Sequence, residues 1–376
     1  MLILAAILAI FIYGMLAAML GTILPDLSKR FSLTPKQNGT IALFQAVGLM
    51  IASVAVGPLI DNEGKKAGLV LGLAIITIGL VLLPRSRGFG PIASDLLLLG
   101  LGGGIIVTAA NALASDAAPD RRGTALNLLN LFFGLGGLAT PFISANLLAR
   151  NSVRLCYLIA GLGGIALLVN VATPMPQPTG AQSFVFSQIG DVVGRPALWL
   201  LAFLLFLYVA CEVGVWNWLV QHLVAQGIAE SRALNTLSLG FALGLLLGRV
   251  AVAPVLISVP ALTVTLVASV FMVFTTYLML QTRDPKTAGV LVFLAGLSMS
   301  PVFPTTLAIT GDVFTRMTGT AMGIVITSGW FGLAVSSRIV GSIAGGDPKR
   351  LKRALLILPA MSFLMIVVNL ALRLVI

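Results

Sequence analysis

Glu212 is the one carboxylate set deep inside a long apolar run of this 376-residue chain; every other acid lies near the end of such a run or between runs. A charge at the centre of a bilayer costs about 2.5–3.5 kcal/mol on insertion scales, so such residues normally face a cavity and serve a function. Glu212 can accept hydrogen bonds from a hydroxylated solute, or take up and release a proton. Its plainer role would be a structural carboxylate held by polar neighbours or kept neutral by burial. Arg249 and Arg338 are the other charges inside apolar runs. Arg249 can pair with an acid or a solute oxygen, whereas Arg338 is near enough to its run's end to snorkel. Gln45, Asn111, Asn127, Asn130 and Asn217 supply amides, which both donate and accept hydrogen bonds as hydroxyl-rich solutes do. Asn127 and Asn130 are three apart and share a helix face. Trp216, Trp218 and Trp330 offer flat faces to an apolar ring surface. Against these readings, membrane amides often only join helices, contributing about 0.6 kcal/mol each, and tryptophans often mark the interface.

Other chemistry is poorly represented. Cys156 and Cys211 lie in apolar runs and form no CxxC pair or disulfide framework. His222 is the single histidine, so no multi-histidine metal site can form. There is no HExxH, no GxSxG and no pair of intramembrane aspartates, so the chain is not expected to be an enzyme, and no cofactor is expected. Gly100, Gly102, Gly103, Gly104, Gly134, Gly136 and Gly137 sit inside apolar runs, where small residues permit close helix contact rather than phosphate binding.

The elements that position these residues follow from composition. Hydrophobic residues make up 58% of the chain and charged residues 9%, with mean hydropathy +1.07. So few charges cannot cover a soluble surface. The net charge of +11 comes from scarce acids, 12 against 23 bases, and forms no basic stripe of the kind that binds nucleic acid. A spanning helix needs about 20 apolar residues. Twelve such runs fall near 2–24, 38–60, 67–84, 91–114, 123–148, 153–173, 197–222, 233–256, 260–281, 287–310, 319–343 and 355–374. They are continuous rather than alternating, which argues against a transmembrane barrel. The first begins at Met1 without a basic leader region and reads as a span, not a cleaved signal.

The longest polar break, Thr173 to Arg195, contains Pro174, Pro176, Pro178 and Gly180 and then a short amphipathic stretch at 184–193. It divides the chain into a six-helix bundle over 1–173, a cytoplasmic linker over 174–195 and a second six-helix bundle over 196–376. The halves resemble one another at an offset of 196: the run from Gly48 through Pro58 recurs from Gly244 through Pro254, Gly123-Thr-Ala recurs at Gly319, and Asp116 recurs as Asp312. Phe11-Ile-Tyr13 matches Phe206-Leu-Tyr208 at 195. Parallel six-span repeats are a transporter architecture.

The loop between the second and third spans reads Gly57-Pro-Leu-Ile-Asp61-Asn-Glu-Gly64-Lys65-Lys66. Gly57 lets helices approach, Gly64 makes the turn, and Asp61 can cap the positive N-terminus of a neighbouring helix. The run resembles the GxxxDxxGRK/R signature of the major facilitator superfamily. That resemblance implies an all-α transmembrane fold of two six-helix bundles related by pseudo-twofold symmetry. It also implies a cytoplasmic latch in which Asp61 meets helix 11 near Gly319. Asp116, Asp120, Arg121 and Arg122, with Asp312 and Arg316, are expected as salt-bridge partners on the same side.

Within that superfamily, Tyr208-Val-Ala-Cys-Glu212-Val-Gly-Val-Trp216-Asn-Trp218, Thr108-Ala-Ala-Asn111, Val302-Phe303-Pro304-Thr305 and Gly248-Arg249 resemble segments of the fucose:proton symporter family of sugar permeases. The resemblance implies alternating access and a monosaccharide-like substrate contacted by residues such as Glu212, Asn111, Asn127, Asn130, Asn217, Gln45, Trp216 and Thr305, with Glu212 and Arg249 available for coupling. The chain departs from that family at two coupling positions. The family's helix 4 glutamate falls on Val107, and its helix 1 acid falls on Gly21 or Thr22. Proton symport therefore does not carry over directly, and sodium coupling, uniport or a rewired proton site stay open.

With the latch loop inside, the odd-numbered loops face outward. They hold most of the basic residues, among them Lys29, Arg30, Arg85, Arg87, Arg154, Arg283, Lys286 and Lys349 to Arg353. This opposes the positive-inside tendency; the latch motif is the more specific guide. The expectation is a monomeric, multi-pass permease of a bacterial inner membrane, secondary active or facilitative. Its partners would be a sugar-like solute, a coupling proton or sodium ion and membrane lipid, with no nucleic acid. The alternative is efflux of amphipathic or anionic compounds, for which Thr140-Pro141 on the fifth span is a loose motif echo. A sensor without flux would bring a soluble output domain.

Overall fold

In the computed structural model, residues 1–148, 151–177, 187, 189–344 and 348–376 are described. Among them twelve helices are long and apolar enough to cross a membrane, and no strand occurs. They are α1 Leu2–Phe31, α2 Lys36–Asn62, α3 Lys65–Arg85, α4 Phe89–Ala117, α5 Pro119–Asn146, α6 Ser152–Ala172, α7 Pro196–Ala225, α8 Ser231–Val255, α9 Ala261–Gln281, α10 Pro285–Val313, α11 Thr318–Ala344 and α12 Arg350–Val375. Each begins within a few residues of its sequence-based bound. Of the stretch read as amphipathic at 184–193, Ile189–Val193 forms a short helix; residues 178–186 and 188, with Pro178 and Gly180, lie outside the described residues.

Polar side chains mark where the helices start. Thr34 and Gln37 exchange a capping box at the start of α2, and Asn151 accepts from the Arg154 amide at 2.9 Å at the start of α6. Asp284 accepts from the Thr287 amide at 2.8 Å at the start of α10. That bond and a second from the Thr287 hydroxyl hold the exposed Asp284 carboxyl below the usual aspartate range.

The chain packs as two compact units: Met1–Pro119, Leu129–Val192 and Phe314–Thr327 in the first, and Asp120–Leu128, Val193–Val313 and Ser328–Ile376 in the second. The first therefore contains the opening turns of α11, and the second contains the opening turns of α5.

The repeat seen in sequence is also a repeat of contacts. In the first unit, a Cβ on Gly48 would strike the Leu97 carbonyl and Leu101 amide, and one on Gly100 would strike the Gln45 carbonyl. In the second, Gly244 stands in the same relation to Phe293 and Leu297, and Gly296 to Phe241. Every partner keeps the 196 offset. With no hydrophobic driving force between helices in lipid, such backbone-to-backbone approach supplies the packing that binds α2 to α4 and α8 to α10.

Two spans depart from a plain α-helix. α8 contains a π-helical stretch at Thr236–Ala242, and α10 breaks between Met299 and Val302, at Ser300-Pro301. The break follows from proline, which lacks the N–H and clashes with the preceding turn; it falls inside the run expected as one span over 287–310.

Candidate transport site and latch

The latch is formed within the first unit. α2 ends at Asn62, Gly64 turns the chain with φ 88°, and α3 starts at Lys65. Asp61, at the end of α2, is fully buried. Its Oδ1 accepts from the Gly319 amide at 2.9 Å; its Oδ2 accepts from the Thr320 amide and the Thr320 hydroxyl, each at 2.8 Å. The carboxylate thus meets two of the amide donors that an α-helix leaves unpaired at its N-terminus, where the macrodipole favours a negative charge. Lys65 lies 3.8 Å from Asp61 and 2.9 Å from Asp116, so one cation bridges both acids. A Cβ on Gly57 would come within 2.5 Å of the Thr320 Cα, so only glycine admits this approach of α11. The Thr327 hydroxyl then donates to the Met50 carbonyl at 3.3 Å, extending the α2–α11 contact toward mid-membrane.

The second unit carries the repeat-related contact in different chemistry. The Thr124 hydroxyl donates to the Ala253 carbonyl at 2.8 Å. Thr124 is the counterpart of Thr320 and Ala253 that of Gly57, while Ile257 stands at the position of Asp61. Arg122 and Asp312 form an ion pair at 2.5 Å, and the Asn127 amide donates to the Thr305 hydroxyl at 3.2 Å. Of the expected gate charges, Arg121 and Arg316 are exposed and form no ion pair among the described residues.

The amides expected at a binding site are largely engaged with the protein. Asn111, fully buried, donates to the Val107 carbonyl at 2.7 Å and accepts from Asn130 at 2.8 Å, which ties α4 to α5. Asn127 ties α5 to α10 through Thr305. Gln45 is buried on α2, and Asn217 is exposed on α7.

Around Glu212 the second unit brings together Tyr208, Trp216 and Phe241. Tyr208, Glu212 and Trp216 are four residues apart and share one face of α7. Glu212 is half-buried and accepts from Trp216 Nε1 at 3.4 Å. The Trp216 ring, 39% exposed, meets the Phe241 ring edge-on with centroids 5.3 Å apart. Phe241 belongs to the π-helical stretch of α8 and is fully buried. Tyr208, also fully buried, has Glu212 and the buried Arg249 as its charged neighbours. Along α7 toward its start, Trp199, Ala202, Phe203 and Phe206 with Ser328 of α11 line an open recess of about 230 Å³.

Sequence reasoning missed Tyr208 as part of this cluster, although its place one turn before Glu212 was readable. It also missed Phe241 and Thr320. Thr320 carried a signal, since its repeat mate Thr124 recurs in the same Gly-Thr-Ala run; Phe241 is the repeat mate of Gln45, but its aromatic side chain shares none of that amide's chemistry.

The sequence model of the Major Facilitator Superfamily matches residues 6–374. The chain belongs to this superfamily. It is a transporter-fold, multi-pass membrane protein. The glucose/mannose transporter GlcP of Bacillus subtilis is 24% identical over 357 residues, spanning 88% of this chain and 85% of that one. The niacin transporter NiaP of Acinetobacter baylyi is 30% identical over 152 residues, 39% of this chain and 34% of that protein. Among solved structures, the Escherichia coli fucose:proton symporter FucP aligns over 98% of both chains with a TM-score of 0.84 at 17% identity. The proton:xylose symporter XylE aligns over 97% of this chain and 94% of that one, with a TM-score of 0.75 at 14% identity. These likenesses establish the twelve-helix fold that the loop motif and the repeat implied, and the family and fold are those of transporters rather than enzymes.

Proposed function

We propose that the protein carries a monosaccharide-like solute across a bacterial inner membrane by alternating access. The observation that carries this reading is the α7 site: a half-buried carboxylate, Glu212, beside Trp216 and the Trp216–Phe241 aromatic pair. A carboxylate accepts from adjacent hydroxyls, and an indole face covers the apolar side of a sugar ring. The name of the GlcP relative, which aligns over most of both chains, supports the same substrate class. In this reading Glu212, Trp216 and Asn217 contact solute directly. Asn111 with Asn130 ties α4 to α5 and Asn127 with Thr305 ties α5 to α10, and Gln45 of α2 is a further candidate solute contact. Asp61, Gly57, Gly64, Lys65 and Asp116 hold one gate and Arg122 with Asp312 a second, with Arg121 and Arg316 beside them. The two six-helix bundles over 1–173 and 196–376 are the bodies that rock, and the protein works as a monomer.

The test is uptake of a labelled monosaccharide panel into proteoliposomes, with nicotinate and 4-hydroxybenzoate included as non-sugar controls. The reading requires saturable uptake of at least one sugar, competed by its epimers. Transport confined to the aromatic acids overturns the sugar assignment.

A further inference from the structure

The second unit gathers cations at one end. α12 opens as a separate short helix, Pro348–Leu355, and after Leu356 continues as Ile357–Val375. The short helix packs on α7 and on the rest of α12 and buries Leu351, Ala354 and Leu355. That leaves Arg350 and Arg353 exposed and Lys352 half-buried. Lys352 is the cation acting on the buried His222 near the end of α7. Gln226, one turn beyond His222, donates to the Leu280 carbonyl of α9 at 3.1 Å. The turn after Leu280 adds Arg283 and Lys286, both exposed. The acids of these stretches are Asp284 and Asp347. The Asp284 carboxylate is engaged by the Thr287 amide and hydroxyl, at 2.8 and 2.7 Å.

An apolar stripe continues from this basic end. Beyond Arg353, Leu356, Ala360, Phe363, Val367 and Leu370 are exposed at the three- and four-residue spacing of one helix face. Phe363 lies ten residues from Arg353, about 15 Å along a helix, which is half of a hydrocarbon core about 30 Å thick. Cations above one leaflet's depth of exposed apolar surface fit the two ends of a phospholipid. A free anion would use the cations and leave the stripe unused. A zwitterionic headgroup would bring its own cation to a place already in excess of them. We propose that this end of the second unit, centred on Arg350, Lys352 and Arg353, docks an anionic phospholipid, with the headgroup on the short helix and the acyl chains along the α12 stripe. The docking holds whichever solute is carried and whichever leaflet this end meets, since the attraction acts wherever the headgroups are anionic.

The test uses the full chain in a neutral detergent, titrated with phosphatidylglycerol or phosphatidylcholine in mixed micelles while the thermal unfolding midpoint is followed. A ligand that binds the folded state raises the midpoint with concentration. Phosphatidylglycerol is expected to raise it, less so at high salt, and phosphatidylcholine to leave it nearly unmoved. In the triple variant Arg350→Gln, Lys352→Gln, Arg353→Gln, the apparent affinity for phosphatidylglycerol should fall on the order of a hundredfold, about fivefold for each cation removed. A control variant removes three exposed cations from the first unit, Lys29→Gln, Arg30→Gln and Arg154→Gln, and should keep the response. Equal shifts with the two lipids, the same shift with inorganic phosphate alone, or an equal loss in the control variant overturns the docking site. Should the triple variant fail to fold, Arg353→Gln alone decides: a fall of about fivefold supports the site, and an unchanged affinity overturns it.

Discussion

Asp61 shows how one buried carboxylate can tie the end of α2 to the start of α11. It is fully buried yet accepts three hydrogen bonds, two of them from the first amides of α11, and has Lys65 at 3.8 Å. Hydrogen bonds to charged groups contribute about 1.5–3 kcal/mol each. Asp61→Asn keeps the shape but turns one acceptor oxygen into a donor facing an amide donor. The expected result is a latch weakened by about 2 kcal/mol, roughly a thirtyfold shift away from the latched state. Alkylation of a cysteine placed at Thr320 would measure it, rising many-fold in the Asp61→Asn background; an unchanged rate would remove Asp61 from the gate. The latch carboxylate was legible because its motif is local: glycine, acid, glycine and base lie within ten residues. Its third bond was not, because Thr320 sits 259 residues away in sequence and local spacing cannot report such a pairing. The same limit applies to Asn111, whose partner Asn130 is on another helix. Sequence placed both amides in the membrane but could not tell a solute contact from a helix tie.

At the scale of helices, α2–α4 and α8–α10 repeat the same glycine contacts at one offset, and these contacts separate packing glycines from idle ones. Gly244 faces the Phe293 carbonyl at a distance no Cβ tolerates, whereas a Cβ on Gly161 of α6 would meet nothing within 4 Å. Gly244→Ala should therefore destabilise the protein by about 1–3 kcal/mol as α8 and α10 are pushed apart. Gly161→Ala should stabilise it by about 0.5–1 kcal/mol through the lost backbone entropy of the unfolded chain. Thermal unfolding in detergent would show midpoints moving in opposite directions; a shared direction would contradict the packing. The helices themselves were legible because each apolar run is bounded by loop residues such as Thr34-Pro35, Gly64, Gly88 and Asp284-Pro285. The π-helical stretch at Thr236–Ala242 was not. Its sequence holds no proline, and its extra residue per turn leaves the apolar run unbroken.

For the whole molecule the unusual feature is where the charge resides. The even-numbered loops balance, with Asp61, Glu63, Asp116, Asp120, Asp191 and Asp312 against Lys65, Lys66, Arg121, Arg122, Arg195 and Arg316. The excess that makes the chain +11 therefore lies almost wholly at the other face. There the short helix Pro348–Leu355 buries Leu351, Ala354 and Leu355 and carries Arg350, Lys352 and Arg353. A charge count alone would turn that face to the cytoplasm, whereas the latch motif, through its resemblance to the superfamily signature, turns it outward. Each basic residue near an anionic leaflet is worth about 1 kcal/mol, and it gains that wherever the headgroups are anionic. The latch is a single stereospecific contact whose sequence signature marks the cytoplasmic side in the resembling superfamily. The expected topology therefore has Arg87 outside and Lys66 inside. Single cysteines at these positions, probed in intact cells with a membrane-impermeant maleimide, should label at 87 and stay unlabelled at 66. The native thiols Cys156 and Cys211 are both buried and should add little background. Labelling at 66 but not at 87 would reverse the direction of every transport step drawn above while leaving the fold and the α7 site unchanged.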